Sequence, residues 1–236
     1  MKLDALIIGA HPDDAEIAMG GTILRLQDAG KRVGILDITR GEMGTRGSMQ
    51  DRDRETAAAT KLLGLSYRDN LNLPDGRVVD GVTEREALAL KLRTLQPELV
   101  ITHHREDLHP DHAAVGRMTR AAWYLSGLKR LAELDGGPPA KRPARLFYYL
   151  GHVAFEPTLV VDIDAQWQRK LELVRCYASQ IEPQAKDDKG EHFLFGTDIL
   201  SRTESRARHF GEQISASFGE PLFHEGPLPV DDLFGF

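Results

Sequence analysis

Apolar residues along the chain fall into short continuous runs and into longer stretches where they recur every three or four positions. The first run, residues 3–9, predicts a buried strand, and the helical spacing that follows predicts a helix over residues 15–29. Later runs predict strands over residues 33–38, 98–102, 145–150 and 158–163, and helices over residues 51–63, 83–95, 113–125, 164–177 and 198–215. Strands that alternate with helices form parallel βαβ units. The pattern therefore predicts an α/β fold: a Rossmann-like, mostly parallel sheet flanked by helices, with additional C-terminal strands and helices.

The segments between these elements carry glycine, proline and polar residues. Residues 40–47 form a glycine-rich loop, and residues 135–139 form an exposed turn. Residues 183–190 are polar and are expected to be mobile, and the tail over residues 225–236 is rich in proline and acidic residues. A length of 236 residues suits one domain over residues 1–236 better than two small ones.

Composition excludes several classes of partner. With a formal charge of −6, the protein lacks the basic surface that binds duplex nucleic acid or anionic membranes. Neither nucleic acid nor a membrane is therefore expected as a partner. The single cysteine, Cys176, excludes an internal disulfide framework. We find no secretory signal and no apolar run near the about 18 residues that span a bilayer. The sequence predicts a cytoplasmic protein.

Two clusters of histidine and aspartate follow predicted strands. His11-Pro12-Asp13-Asp14 comes after the first strand, and His109-Pro110-Asp111-His112 comes after the strand over residues 98–102. The carboxyl ends of neighbouring parallel strands meet at one edge of the sheet, where α/β proteins bind ligands. Imidazole and carboxylate groups of both clusters can converge there on a divalent metal ion, with His11, Asp14 and His112 as its ligands.

The remaining residues of the clusters suit acid/base chemistry. Asp13 is left beside the ion without binding it, and such a carboxylate can take a proton from a metal-bound water. His109, three residues before His112, can face the same cavity. If it is protonated it can stabilise an oxyanion, with Asp111 holding its charge and orientation. These roles indicate hydrolysis of an amide or ester.

A structural explanation competes with this one. A His-Pro-Asp sequence is common where helices begin, because Asp favours N-caps and Pro favours the first helical turn. The presence of two independent clusters favours the metal site. His103 and His104 are interpreted as supporting or structural residues, and four scattered histidines are assigned to the surface or to packing: His152, His192, His209 and His224.

The two clusters resemble the motifs of the PIG-L/LmbE-like family of zinc-dependent N-acetylglucosamine deacetylases. The loop over residues 39–47 and residues 52–55 extend the resemblance toward the branch that deacetylates N-acetylglucosaminyl-malate in bacillithiol biosynthesis. The family's first motif often reads Asp-Asp-Glu, whereas here Ala15 precedes Glu16, and no proposed ligand is displaced. The resemblance implies zinc on His11, Asp14 and His112, Asp13 as the general base and His109 as the oxyanion-stabilising residue.

The resemblance also implies substrate contacts. Arg52 and Asp75 match family residues that contact the sugar, although Arg52 can equally be a solvated helix charge and Asp75 part of an ordinary Asp-Gly turn. An arginine of the loop can hold the malate carboxylates. We take Arg46 as the candidate, although the pattern does not decide between it and Arg40.

The sequence thus predicts a metal-dependent N-deacetylase that releases acetate from an N-acetylglucosamine conjugate. Other N-acetylated sugars or small amides remain alternatives, and so does a noncatalytic metal- or nucleotide-binding protein. A nucleotide site fits poorly, because Asp13 and Asp14 put negative charge where a pyrophosphate would bind. Two imidazoles and one carboxylate also accept Fe²⁺, Mn²⁺ or Co²⁺ in place of Zn²⁺. The resemblance further implies a homo-oligomer, such as a hexamer, to which four apolar tail residues can contribute if they do not pack on their own domain: Leu228, Val230, Leu233 and Phe234.

Overall fold

The computed structural model describes residues 2–44, 46–181 and 199–229. Its strands are β1 (Ala5–Gly9), β2 (Val33–Asp37), β3 (Tyr67–Asn70), β4 (Leu99–His103), β5 (Arg145–Tyr149), β6 (Leu159–Asp162) and β7 (Gly219–Phe223). Its helices are α1 (Asp14–Asp28), α2 (Met49–Leu63), α3 (Val82–Leu95), α4 (Pro110–Ser126), α5 (Lys129–Asp135), α6 (Trp167–Arg175), α7 (Ala178–Ile181) and α8 (Ile199–Glu212), with a 3-10 turn at Asp164–Gln166.

The seven strands form one sheet in the order β3-β2-β1-β4-β5-β7-β6. The five strands from β3 to β5 are parallel, and β7 pairs antiparallel with both β5 and β6. The predicted α/β fold with extra C-terminal strands is confirmed. Because β2 and β3 lie on one side of β1 and β4 on the other, the order in which strands are added to the sheet reverses between β1 and β4. A crevice opens at that point above the strand ends, and both histidine clusters follow these two strands.

Helices cover both faces of the sheet, which explains why its strands read as continuous apolar runs. On one face Leu6 and Ile8 pack with Leu92 of α3 and Met118 of α4. On the other face Ile7 packs with residues of α1 and α6, including Met19, Ile23 and Leu173. Burial on both faces fixes the register of β1, so the residues that follow it emerge at a defined point over the crevice.

Two strands and two short helices were not predicted. β3 consists of Tyr-Arg-Asp-Asn, a half-buried edge strand without an apolar run. β7 contains Gly219 and Pro221, residues that argue against a strand because proline cannot donate to the ladder. Helices α5 and α7 are only seven and four residues long, too short for a helical spacing to stand out.

Several expectations concern residues outside the described ranges: the polar segment over residues 183–190, His192, and the tail residues Val230, Leu233 and Phe234. Leu228 is described, and it packs against the core of its own chain. Within the described ranges, none of the helices has the length and apolar content needed to cross a membrane.

Candidate active site

His11, Asp14 and His112 converge at the crevice between β1 and β4. Nδ1 of His11 lies 3.2 Å from Oδ2 of Asp14, and Nε2 of His112 lies 3.3 Å from Oδ1 of the same carboxylate. The ligand atoms of these three residues all lie within 4.8 Å of one another. Two imidazole nitrogens and a carboxylate at this spacing form a donor set suited to a divalent transition metal.

The turn that brings His11 and Asp14 together is built from the backbone. The N–H of His11 donates to Asp14 Oδ2 at 2.8 Å, and the N–H of Asp14 donates to the carbonyl of His11 at 3.3 Å. A Cβ atom on Gly9 would lie only 3.2 Å from the His11 carbonyl oxygen, so the tight turn favours glycine at the end of β1. Asp14 then begins α1, where a carboxylate is favoured by the helix dipole.

The far nitrogen of each imidazole faces another carboxylate. Nε2 of His11 lies 3.1 Å from Asp75 Oδ1 and 3.4 Å from Asp111 Oδ2, and Nδ1 of His112 lies 3.4 Å from Asp107 Oδ1. A carboxylate behind a ligating histidine orients the ring and raises its basicity. Each ring therefore presents one nitrogen to Asp14 and is held from behind, and this arrangement fits a metal ion.

The pKa shifts of the three residues also fit a site for a cation. Although burial opposes it, Asp14 and Asp107 raise the pKa of His112 to about 9, and the pKa of His11 is raised well above its ordinary value by Asp111, Asp14 and Asp75. The pKa of Asp14 is held well below its usual range, despite burial, by the surrounding imidazoles. Protons on these rings balance negative charge that a bound cation would otherwise balance.

Asp13 lies beside this set in a strained backbone conformation. Its φ of 120° is one that residues other than glycine rarely adopt, and such strain costs about 1–3 kcal/mol. Its Oδ2 accepts a hydrogen bond from Arg52 at 2.9 Å, and the same guanidinium nitrogen donates to the carbonyl of Pro12 at 2.7 Å. Burial raises the pKa of Asp13 to about 6, against the opposing effect of Arg52. A carboxylate with that pKa can accept a proton near neutral pH and release it again.

His109 caps helix α4 and is neutral at neutral pH. Its Nδ1 accepts a hydrogen bond from the backbone N–H of Asp111 at 3.2 Å, and Pro110 occupies the first helical turn. Burial and the positive charge of His112 lower the pKa of His109 to about 4. The expected protonated ring is therefore replaced by a neutral one that carries its single proton on Nε2.

Comparison with known proteins identifies the family. A family model described as PIG-L, GlcNAc-PI de-N-acetylase, matches residues 6–123, which is half of the chain and includes both histidine clusters. The chain belongs to the PIG-L family. The resemblance inferred from the two motifs is thereby confirmed.

Individual proteins extend the similarity along the chain. The crystal structure of a conserved protein from Thermus thermophilus is 36% identical, with a TM-score of 0.83 over 98% of this chain and 97% of that one. The diacetylchitobiose deacetylase of Thermococcus kodakarensis is 31% identical over 74% of this chain and 69% of its own length. A probable N-acetyl-alpha-D-glucosaminyl L-malate deacetylase 2 of Bacillus cereus is 28% identical over 79% of this chain and 88% of its own length.

The structure brings the predicted residues together but gives two of them other partners. The Asp111 carboxylate accepts hydrogen bonds from His11 and from the backbone of Gly76 and Val78, so it supports His11, and only its backbone N–H contacts the His109 ring. Asp75, expected at a sugar hydroxyl, also faces His11, and its Oδ2 accepts from the Met43 N–H at 2.8 Å.

The predicted arginine contacts lie at one side of the site. Arg52 is buried against Asp13 and donates to Gln180 Oε1 at 2.9 Å, so it is not a solvated helix charge. Arg46 donates to the carbonyl of Gln180 at 3.1 Å, and the Gln180 amide donates back to the Arg46 carbonyl. Arg40 instead pairs with Asp53 at 2.6 Å. The loop over residues 40–47, of which Thr45 is not described, is thus tied to helix α7.

Asp107 and His152 belong to the site but were missed from the sequence. Nδ1 of His152 lies 2.8 Å from Asp107 Oδ1, and its ring lies 5.0 Å from that of His112, centroid to centroid. The assignment of His152 to the surface or to packing was wrong. The signal was available, because His152 follows β5, a parallel strand adjacent to β4 that ends at the same edge of the sheet.

His103 matches the supporting role expected of it. The ring is buried and stacks on His112 at 3.9 Å between centroids, and its Nε2 lies 3.1 Å from Asp14 Oδ2 and accepts the Ala10 N–H at 3.0 Å. Burial and the charge of His112 lower its pKa to about 4. With a single ring proton, Nε2 of His103 can either accept from Ala10 or donate to Asp14, but not both.

Proposed function

We propose that the protein is a metal-dependent hydrolase that removes the acetyl group from an N-acetylglucosamine conjugate. The main support is the arrangement of His11, Asp14 and His112. Beside them lie the carboxylate of Asp13, which can be protonated, and His109, a neutral N–H donor. The family membership and the deacetylases among the similar proteins support this proposal.

His11, Asp14 and His112 would hold the ion, and Zn²⁺, Fe²⁺, Mn²⁺ or Co²⁺ all suit such a donor set. A divalent ion there supplies positive charge that polarises an acyl oxygen and makes water more acidic. The carboxylates of Asp75, Asp107 and Asp111 keep the ligand rings aligned while substrate binds.

Asp13 is proposed to accept the proton of the attacking water, because its pKa of about 6 leaves it ionised at neutral pH and able to be protonated during turnover. Arg52 holds its carboxylate in place at 2.9 Å. The Nε2–H of His109 is proposed to donate a hydrogen bond to the oxyanion that develops on the acetyl carbonyl. Asp13, once protonated, would return its proton to the departing amine nitrogen.

The proposed substrate is N-acetylglucosaminyl-L-malate. The support is the loop resemblance and the malate-conjugate deacetylase of Bacillus cereus among the similar proteins. Arg46 and Arg52 are the proposed substrate contacts on the loop side of the site. Diacetylchitobiose is the competing substrate, because the Thermococcus kodakarensis relative carries that name.

An acetate-release assay tests the proposal. The purified protein, stripped with a chelator and reloaded with Zn²⁺, is expected to release acetate from N-acetylglucosaminyl-L-malate faster than from diacetylchitobiose. Asp13→Asn is expected to keep bound Zn²⁺ and to lose turnover by about 100- to 10,000-fold, the usual contribution of a general base. Normal turnover in that variant would exclude the base role, and acetate release unaffected by chelation would exclude the metal.

A further inference from the structure

Asp107 and His152 form a pair behind the His112 ring. His112 faces Asp14 with Nε2, whereas its Nδ1 lies 3.4 Å from Asp107 Oδ1, and Nδ1 of His152 lies 2.8 Å from that same oxygen. The three ligand atoms lie within 4.8 Å of one another, as those of the proposed catalytic site do. The pair is not part of the donor set assigned to the catalytic ion.

We infer that Asp107 and His152 form a second site for a divalent transition metal ion such as Zn²⁺, beside Nδ1 of His112, and that its occupation inhibits the enzyme. One carboxylate and imidazole nitrogens favour Zn²⁺, Cu²⁺ or Ni²⁺ over Mg²⁺ or Ca²⁺, which prefer oxygen ligands. The inhibition rests on the proposed function, whereas the second site does not.

The position of the Asp107 carboxylate is fixed by its surroundings. Its side chain is nearly fully buried, its Oδ1 accepts the N–H of His109 at 3.0 Å, and its Oδ2 accepts the N–H of His152 at 2.8 Å. A Cβ on residue 151 would lie 2.2 Å from Asp107 Oδ2, so Gly151 is required for this close approach. An ion would therefore meet a carboxylate that two backbone N–H groups hold in place.

The spacing requires little movement. Zn–O and Zn–N bonds of about 2 Å at a tetrahedral angle place two ligand atoms about 3.3 Å apart. The distance from Asp107 Oδ1 to His112 Nδ1 matches this, whereas the distance to His152 must widen by about 0.5 Å. The His152 side chain is 17% exposed and precedes the exposed Val153. Its ring can carry its proton on Nε2 and present Nδ1 to the ion.

Two features make this site weaker than the first and its occupation harmful. Arg206 lies close enough to Asp107 for the two charges to interact, and its positive charge opposes a second cation there. Binding of Nδ1 of His112 to this ion would also replace the contact with Asp107 that orients the ring. The His112 ring cannot ligate two ions while it keeps a ring proton.

Zinc binding at equilibrium tests the site without turnover. Dialysis against increasing Zn²⁺, with metal measured per chain, is expected to give two classes of site in the unmodified protein and only the tighter class in His152→Asn. His209→Asn, which changes an exposed histidine on α8, is the control and is expected to keep both classes. Mg²⁺ is expected to fill neither. A single class in the unmodified protein, or two classes in His152→Asn, would contradict the second site.

Inhibition gives the second readout. Excess Zn²⁺ is expected to slow acetate release, and His152→Asn is expected to raise the inhibiting Zn²⁺ concentration at least about tenfold, as when a group that supports a metal is lost. His209→Asn is expected to leave that concentration unchanged. Two classes of site without any deacetylation would refute the proposed function alone, whereas normal deacetylation with one class would refute the second site alone.

Discussion

Two buried clusters of charge lie next to each other in this fold and differ in the source of their positive charge. Around the proposed metal ligands, five carboxylates face imidazoles and the guanidinium of Arg52: Asp13, Asp14, Asp75, Asp107 and Asp111. In the neighbouring Arg68 cluster, made of Glu16, Asp37, Arg68 and Tyr177, the arginine lies between both carboxylates, 2.5 Å from Glu16 and 2.8 Å from Asp37. The Arg68 cluster carries its own countercharge, whereas the first cluster leaves charge for an external cation. Similar residues thus build a candidate metal site in one place and a structural network in the other.

The largest effect is expected from removing the carboxylate of the proposed metal ligands. Asp14→Asn should abolish tight metal binding, because the amide offers the ion a neutral oxygen in place of a charged carboxylate. It should lower kcat/KM about 1000-fold or more, which corresponds to several kcal/mol of lost stabilisation. Metal content and acetate release measure the two losses. Asp28→Asn, at a surface ion pair with Arg169, is the control and should change neither.

In the Arg68 cluster, we expect a substitution to reduce folding stability instead of metal binding. Arg68→Met leaves Glu16 and Asp37 buried without a cation, and breaking a buried pair in this way costs about 3–5 kcal/mol. Urea unfolding of the chelated protein measures the loss. The control Arg85→Met breaks a partly exposed pair with Asp80 and should cost less than about 1 kcal/mol. Equal losses in the two variants would show that the Arg68 cluster has no special structural role.

The sequence predicted the first cluster and not the second for a physical reason. His11, Asp14 and His112 stand in two short motifs directly after apolar strands, and the rule that parallel strands end at one edge placed them together. Arg68 lies on β3, a strand without an apolar pattern, and Tyr177 reaches Glu16 across 161 positions. Such a contact depends on how helix α6 packs on α1, which local spacing does not encode.

The same limit applies to roles inside the site. The motif placed Asp111 near His109, but its carboxylate accepts from Gly76 and Val78, because the segment after β3 folds over the crevice. Asp75 belongs to that segment and is thereby placed beside His11. Residue types and strand ends were therefore predictable, whereas hydrogen-bond partners that arrive from a distant loop were not.

The Arg68 cluster also has an excess carboxylate, and this predicts a pH effect. Burial raises the pKa of Asp37 from 3.8 to about 6, despite Arg68. The folded state then binds more protons than the unfolded state between these values, so the contribution of Asp37 to stability falls as pH rises from about 4 to about 6. At 1.36 kcal/mol per pKa unit the change is about 3 kcal/mol.

Asp37→Asn removes this titration. The free energy of unfolding of the chelated unmodified protein, minus that of Asp37→Asn, is expected to decrease between pH 4 and pH 6 and to stay level above pH 7. Urea unfolding at several pH values measures the difference, and Asp13, whose pKa is also raised, contributes to both proteins and cancels. A difference that increases with pH would mean that Asp37 is stabilised as a carboxylate by Arg68.

The smallest effect is expected at Asp75, because His11 has a second carboxylate, Asp111, as an acceptor. Asp75 Oδ1 faces His11 Nε2 at 3.1 Å while its Oδ2 accepts from Met43 N–H, and Asp75→Asn can satisfy only one of these donors with its single oxygen. Loss of a carboxylate behind a ligating histidine weakens metal binding by about 10- to 100-fold. Because Asp111 still lies 3.4 Å from the same nitrogen, we expect the lower end, about tenfold, in the Kd for Zn²⁺ measured by competition with a chelator. Asp80→Asn, beside Arg85 and away from the histidines, is the control and should not change the Kd. If Asp75→Asn instead left the Kd unchanged and raised KM for the sugar conjugate, Asp75 would be a substrate contact, as the family resemblance first implied.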